Sequence, residues 1–247
     1  MDKLLYIAMS GAKETLRAQA ANNHNLANVS TTGFKADLSA FQSRTVAGPG
    51  YASRVYATDS TVGWDDTAGS QQATGNPLDI SVNGSGYIAV QDVTGNEAYT
   101  RAGDLHVDPS GQLLTATGLP VLGDNGPISV PPYSSITVAQ DGTISIIPLG
   151  QTAQTSAVVG RIKLVNPPTS SLQRGLDGLF HTTDGNPAEA DASTRITPGT
   201  LEASNVNIAS AMVNMIQLAR QFDMQIKTLH SADENAQAST KLLQSSG

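Results

Sequence analysis

The sequence predicts an α+β fold: long N- and C-terminal helices paired as a coiled-coil domain, an extended connector, and a central all-β domain. Three observations carry this expectation. Residues 2–28 and 205–244 return an apolar side chain every seven positions, the spacing of a helix that packs along another helix. Most of the chain between them alternates short apolar runs with Gly, Pro, Asn and Asp turns, as antiparallel sheets do. Between the first helix and the first clear strand, residues 36–75 show neither period.

Taken in order, the N-terminal helix (domain 1–30) places Leu5, Ala12, Gln19 and Leu26 on one heptad position and Met9, Leu16 and Asn23 on the other. Residues 31–75 read as an extended connector holding Gly48-Pro49-Gly50, with strand character from Tyr51 to Thr58. The β domain, 76–198, opens on Leu78, Ile80 and Val82, then Tyr87, Ile88 and Val90, then Leu105 and Val107. Its turns are Asn83-Gly84, Thr94-Gly95-Asn96, Asp108-Pro109-Ser110-Gly111, Asp124-Asn125-Gly126 and Asp141-Gly142. The C-terminal helix, within 199–247, has the sharper repeat: Ile208, Met215, Phe222, Leu229, Ala236 and Leu243, interleaved with Met212, Ala219, Ile226, Asp233 and Thr240. Ser204 or Asn205 is placed to cap it. Roughly 37 helical residues span about 55 Å, too long for a compact domain of this size to cover, so this helix requires another beside it.

Composition narrows the function. A net charge of −7 offers no basic surface to phosphates, which argues against nucleic acid and anionic membranes as partners. No Cys is present, so neither disulfides nor thiolate chemistry enter. The opening Met1-Asp2-Lys3-Leu4 lacks the charged and apolar regions of a cleaved signal peptide, and no run reaches the length of a membrane span. His24, His106, His181 and His230 are far apart in sequence, so no metal site is expected, and no cofactor motif is found. Gly84-Ser85-Gly86 lacks the helix and third Gly of a phosphate loop and reads as a hairpin turn. Asp104 with Asp108 is the nearest approach to a catalytic carboxylate pair, but Asp108 reads more simply as the first residue of a type I turn.

Four blocks together resemble one family. Asn25-Leu26-Ala27-Asn28-Val29-Ser30-Thr31-Thr32-Gly33-Phe34-Lys35 resembles the N-terminal signature of bacterial flagellar rod and hook proteins. Thr74 to Tyr87, then Tyr99-Thr100-Arg101-Ala102-Gly103-Asp104-Leu105, then Gly199-Thr200-Leu201-Glu202-Ala203-Ser204-Asn205-Val206 with the helix after it, resemble the blocks that follow, in the family's order. Asn23-His24 and Ser210 depart from it. The opening Met1 to Tyr6 and the segment Leu218 to Lys227 look like the proximal-rod members, ahead of distal-rod or hook subunits.

The resemblance implies a non-enzymatic structural subunit of the basal-body rod, exported by the flagellar type III apparatus without signal cleavage. Its implied partners are copies of itself and other rod subunits. The residues expected to pack subunits are Leu5, Met9, Leu16, Asn25, Leu26, Asn28, Gly33, Phe34, Asn205, Ile208, Met212, Met215, Phe222, Ile226 and Leu229. A wall-acting enzyme using Asp104 and Asp108, or an export chaperone, would be the rival classes.

Overall fold

The computed structural model describes residues 2–45, 55–151 and 155–245. It contains both helices and strands, and the chain divides into two compact units, each discontinuous in sequence.

The first unit comprises residues 1–28, 37–64 and 206–247. Helix α1 (Asp2–Ala27) and helix α2 (Ile208–Ser245) pack against each other. Their contacts set the direction: Asn22 Nδ2 donates to the Ala211 carbonyl at 2.9 Å, while Gly11 lies against the Gln225 carboxamide. Residues rise along one helix as they fall along the other, so the pair is antiparallel. No helix is long and apolar enough to cross a membrane among the described residues.

Buried and half-buried positions recur along α1 at Leu5, Ala8, Ala12, Thr15, Gln19, Asn22 and Leu26, among others, and along α2 at Ala211, Met215, Leu218, Phe222, Gln225, Leu229, Ala232 and Ala236, with Gln221 and Ile226 beside them. One line of each expected repeat therefore faces inward and the other does not. Met9, Leu16, Asn23, Met212, Ala219, Asp233 and Thr240 are exposed. The interleaved position sits one residue away from the expected one, at Ala8, Thr15 and Asn22 and at Leu218, Gln225 and Ala232. The reason is steric: Ala8, Gly11, Ala12, Thr15 and Ala18 let the helix backbones approach closely, and a Cβ added at Gly11 would already meet the Gln225 side chain at 3.0 Å. The side chain of Leu243 lies outside the described residues.

Residues 37–64, within the expected connector, form an antiparallel hairpin of β1 (Asp37–Thr45) and β2 (Val55–Trp64) that packs on α1. Of the strand expected from Tyr51 to Thr58, residues 55–58 lie in β2, and residues 51–54 lie outside the described residues. Residues 36–75 are rich in Ser, Thr, Gly and Asp and hold few large aliphatics, which is why no alternation marks this strand pair in the sequence.

The second unit, 29–36 with 65–205, is all β. Its strands are β3 (Gln71–Ala73), β4 (Ile80–Asn83), β5 (Tyr87–Gln91), β6 (Glu97–Thr100), β7 (Leu105–Val107), β8 (Leu113–Thr115), β9 (Leu122–Gly123), β10 (Gly126–Pro127), β11 (Tyr133–Val138), β12 (Thr143–Pro148), β13 (Ala157–Arg161), β14 (Leu164–Val165), β15 (Leu172–Arg174), β16 (Phe180–Thr182), β17 (Arg195–Pro198) and β18 (Thr200–Glu202). The largest sheet has the order β14-β5-β6-β16-β15, a second has β11-β12-β13, and four are two-stranded: β17-β4, β18-β3, β7-β8 and β10-β9. Ile80, Ile88, Val90, Leu113, Ile144, Ile162 and Ile196 are at most 1% exposed and form the centre of one core. Tyr87 to Val90 are buried on both faces, because the small Ala89 lets a second layer close over the strand.

Four of the five expected turns close hairpins: β5 with β6, β7 with β8, β9 with β10 and β11 with β12. Asn83 to Gly86 does not. It is a corner, since β4 pairs with β17 while β5 pairs with β6 and β14. The Val82 and Gly84 carbonyls accept from the Arg101 guanidinium, which draws the corner away from a hairpin path. The cap of α2 also differs from expectation. Asn207 takes that role, its Oδ1 accepting from Ser210 N at 3.0 Å and its carbonyl from Ala211 N at 2.9 Å. Asn205 is engaged within the β unit.

Candidate functional site

Two features stand out from ordinary packing, one in each unit.

In the β unit, three charged side chains meet in the interior. Lys35 and Arg101 are 0% and 1% exposed, and Glu202 is 2% exposed. Lys35 sits in the short entry segment, Arg101 directly follows β6, and Glu202 ends β18. Lys35 Nζ donates to Glu202 Oε1 at 2.9 Å and to the Thr67 carbonyl at 2.8 Å. Arg101 donates to Glu202 Oε2 at 3.2 Å and to the Val82 carbonyl at 3.0 Å, and its guanidinium carbon lies 5.4 Å from the centre of the Tyr87 ring. Glu202 Oε1 also accepts from Gly69 N at 3.0 Å, and the Glu202 carbonyl accepts from Gly33 N at 2.7 Å. Buried charge costs heavily unless it is paired and fully hydrogen-bonded, and here one carboxylate serves two cations.

The expected packing residues near this cluster serve inside the chain. Gly33 is buried with φ +67, and a Cβ there would lie 2.2 Å from the Arg101 carbonyl carbon, so only glycine fits. Phe34 is buried under the Arg174 guanidinium, 4.5 Å from its ring centre, while Arg174 donates to the Lys35 carbonyl at 2.8 Å. The Asn205 carboxamide accepts from Ala36 N at 2.8 Å and donates to the Asp65 and Thr67 carbonyls at 2.8 and 3.0 Å. Entry segment, return segment and closing strand are thereby laced together.

Asn25 and Asn28 belong to the helical unit. Asn25 both donates to the Asp37 carbonyl at 2.9 Å and accepts from Asp37 N at 2.7 Å, fixing the start of β1 on the end of α1. Asn28 closes α1 on the His24 carbonyl, and His24 Nδ1 lies 2.6 Å from Asp37 Oδ2.

The second feature is the outward face of the helices. Tyr6, Met9 and Leu16 of α1 and Ile208, Met212, Val213, Ile216 and Met224 of α2 are each between 48% and 60% exposed. Of the expected packing residues, Leu5, Leu26, Met215, Phe222, Ile226 and Leu229 are half-buried, whereas Met9, Leu16, Ile208 and Met212 project outward.

The carboxylates form no catalytic pair. Asp108 is committed to its own turn, its Oδ1 accepting from Gln112 N at 2.7 Å, and hydrogen bonds from Ser110 and Gln112 hold its carboxyl below the usual range. Asp104 lies across a strand bridge from Asp79, and burial together with the Asp79 charge pushes its carboxyl up. Burial also raises the Tyr99 phenol to about 12, while its hydroxyl donates to Glu97 Oε1 at 3.0 Å. Hydrogen bonds from Ser193 and Thr194 lower Asp191 to about 2. No group of His, Cys, Asp or Glu able to hold a metal is present among the described residues.

Sequence reasoning quoted Lys35, Arg101 and Glu202 inside signature blocks without assigning them a role. A signal was there: only 14% of residues are charged, yet each of these stands alone among small or apolar neighbours, as in Gly33-Phe34-Lys35-Ala36 and Leu201-Glu202-Ala203.

A charge cluster that locks the entry and exit of the β unit, and helices that turn large apolar side chains to solvent in the other unit, are features of a structural protein that assembles. Three family models match: the flagella basal body rod protein over residues 5–35, the flagellar hook protein FlgE/F/G D1 domain over 81–146, and the flagellar basal body rod FlgEFG protein C-terminal region over 197–242. Each matched segment contributes one charge to the cluster: Lys35, Arg101 and Glu202 respectively. The chain belongs to the flagellar rod and hook protein family and is a structural subunit of the basal-body rod type. It is 46% identical over 249 residues to the flagellar basal-body rod protein FlgF of Escherichia coli (strain K12), covering 98% of this chain and 99% of the relative. The FlgF of Salmonella typhimurium is equally similar over the same span. The flagellar basal-body rod protein FlgG of Bacillus subtilis is 30% identical over 261 residues, covering 95% of this chain and 96% of the relative.

Proposed function

We propose that the chain is a proximal-rod subunit that polymerises through its terminal helices, paired as a coiled coil. Its partners are copies of itself and other proximal and distal rod subunits. Together they form the hollow axial shaft that crosses the periplasm and carries torque. In this reading the protein catalyses nothing, binds no cofactor, and reaches the rod through the flagellar type III export apparatus without losing a signal peptide. The 46% identity to the FlgF of Escherichia coli and of Salmonella typhimurium, against 30% to the FlgG of Bacillus subtilis, favours the proximal over the distal rod.

One observation carries the reading: the most deeply buried positions of the helices include many small side chains, while several large apolar ones stay about half exposed. Ala8, Ala12, Thr15 and Ala18 fill the seam, while Met9, Leu16, Met212, Ile216 and Met224 are at least 49% exposed. A protein that worked alone would gain by burying these. Covering the exposed half of each contributes about 1 kcal/mol, so assembly recovers several kcal/mol per subunit.

The test is the full chain carrying Met212→Ser and Ile216→Ser together. Helix content of the isolated protein stays as it was and its unfolding midpoint falls only slightly, because both side chains are more than half exposed, whereas recovery in purified basal bodies and swimming are lost. Normal incorporation of the double variant overturns the reading.

A further inference from the structure

We propose that residues 195–205 are a clasp that completes the β unit, with Glu202 as its closing residue, so that the unit stays open until this last segment docks. Three observations converge on it.

First, β4 and β3 each belong to a two-stranded sheet, and the second strand of both lies in this segment: β17 for β4, β18 for β3. Second, among the described residues, Glu202 is the carboxylate that binds both Lys35 and Arg101, so before docking two cations destined for the interior lack their counter-charge. Third, the segment supplies core and backbone partners that nothing earlier in the chain replaces. Ile196 is 0% exposed. The Gly199 carbonyl accepts from Thr74 N at 2.9 Å, and Gly199 N donates to the Asp79 carbonyl at 2.7 Å.

Burying either cation without Glu202 is strongly unfavourable, which leaves residues 33–36, 65–83 and 101–104 solvated rather than closed. The remaining sheets depend on the segment less, through the Ile196 side chain in the core and the bond from Ile196 N to the Gln140 carbonyl at 2.9 Å. Strands β5 with β6, β7 with β8 and β11 with β12 are joined by short hairpins, pair locally, and close only small loops. Because the chain is synthesised from its N-terminus, the counter-charge arrives after both cations. An incomplete chain therefore has a partly built, unlocked β unit, whatever the site at which the finished protein assembles.

The experiment is refolding of the full-length protein from urea with pulsed hydrogen exchange, followed by native-state exchange of Glu202→Gln. The amides of Gly33, Thr74 and Gly199 gain protection in the last phase, after those of Asp92, Asp108 and Ala139, which donate within the β5–β6, β7–β8 and β11–β12 hairpins. In Glu202→Gln the first group loses protection by about a hundredfold or more, while the second changes by less than about tenfold. Simultaneous protection of both groups in the wild type overturns the clasp, as does a uniform loss across both groups in the variant. Should Glu202→Gln fail to fold, the wild-type order of protection decides alone. Loss of basal-body incorporation with a normal refolding order would count against the rod assignment and leave the clasp standing.

Discussion

The charge cluster predicts an asymmetry between its members. It holds two cations and one anion, so Lys35→Met leaves a neutral pair, Arg101 with Glu202, whereas Glu202→Gln leaves two buried cations and no carboxylate bonded to them. After Lys35→Met, most freed acceptors keep a donor. Glu202 Oε1 retains Gly69 N, and the Thr67 carbonyl retains Asn205 Nδ2. The Asp66 carbonyl loses only a long 3.5 Å contact, and the methionine fills nearly the same volume. The expected cost is about 1 kcal/mol. Glu202→Gln turns a shared acceptor into a group that satisfies at most one cation, and breaking a buried pair costs about 3–5 kcal/mol. With a urea slope of about 2 kcal/mol/M, the midpoints fall by about 0.5 M and about 2 M respectively. The assay is urea unfolding followed by near-ultraviolet circular dichroism of the buried Tyr87 and Tyr99, which report on the β unit. Equal shifts, or a larger shift for Lys35→Met, would refute the charge argument and leave only a packing role for these residues.

Three further outcomes follow from other parts of the structure. Gly103→Ala should cost about 4 kcal/mol or more in thermal unfolding, since its Cβ would lie 1.7 Å from the Ile80 carbonyl oxygen; Gly118→Ala, whose Cβ meets nothing but whose φ is +81, should cost only about 1–2 kcal/mol. In the helix pair, Ala18→Leu should destabilise by about 1–3 kcal/mol because Ala18 is 3% exposed in the seam, while Leu16→Ala, at a position 49% exposed, should change the helical circular dichroism melt by less than about 0.5 kcal/mol. Asp104→Asn should make the protein more stable at neutral pH. The Asp104 carboxyl titrates higher in the folded than in the unfolded chain, so the native state binds the extra proton and loses stability as pH rises through the folded value; the advantage of the variant should disappear below the ordinary value of 3.8, as unfolding midpoints measured between pH 3 and 7 would report.

Much of the architecture is legible in the residues. Repeats such as Met215, Phe222 and Leu229 mark α2 because their period is that of a helix, and Asp108-Pro109-Ser110-Gly111 marks the β7–β8 turn because its Asp accepts from the backbone that follows. The pairing of β1 with β2 was only partly legible, since the stretch shows strand character from Tyr51 to Thr58 but no sustained alternation. The seam was half legible. A seven-residue repeat permits its second line at either of two adjacent positions, and choosing the larger side chains selects Met9, Leu16 and Met212, which the structure turns outward.

The sequence by itself determined the two long helices and most strands of the β unit, and its signature blocks determined the family, because these depend on local period, turn chemistry and residue order. Tertiary structure alone decided which face of each helix is inside, because the close approach of two backbones favours Ala8, Gly11 and Ala18 over larger neighbours. It alone also brought Lys35, Arg101 and Glu202 together, since a salt bridge between residues so far apart leaves no periodic trace and exists only once the closing strand has returned to the start of the β unit.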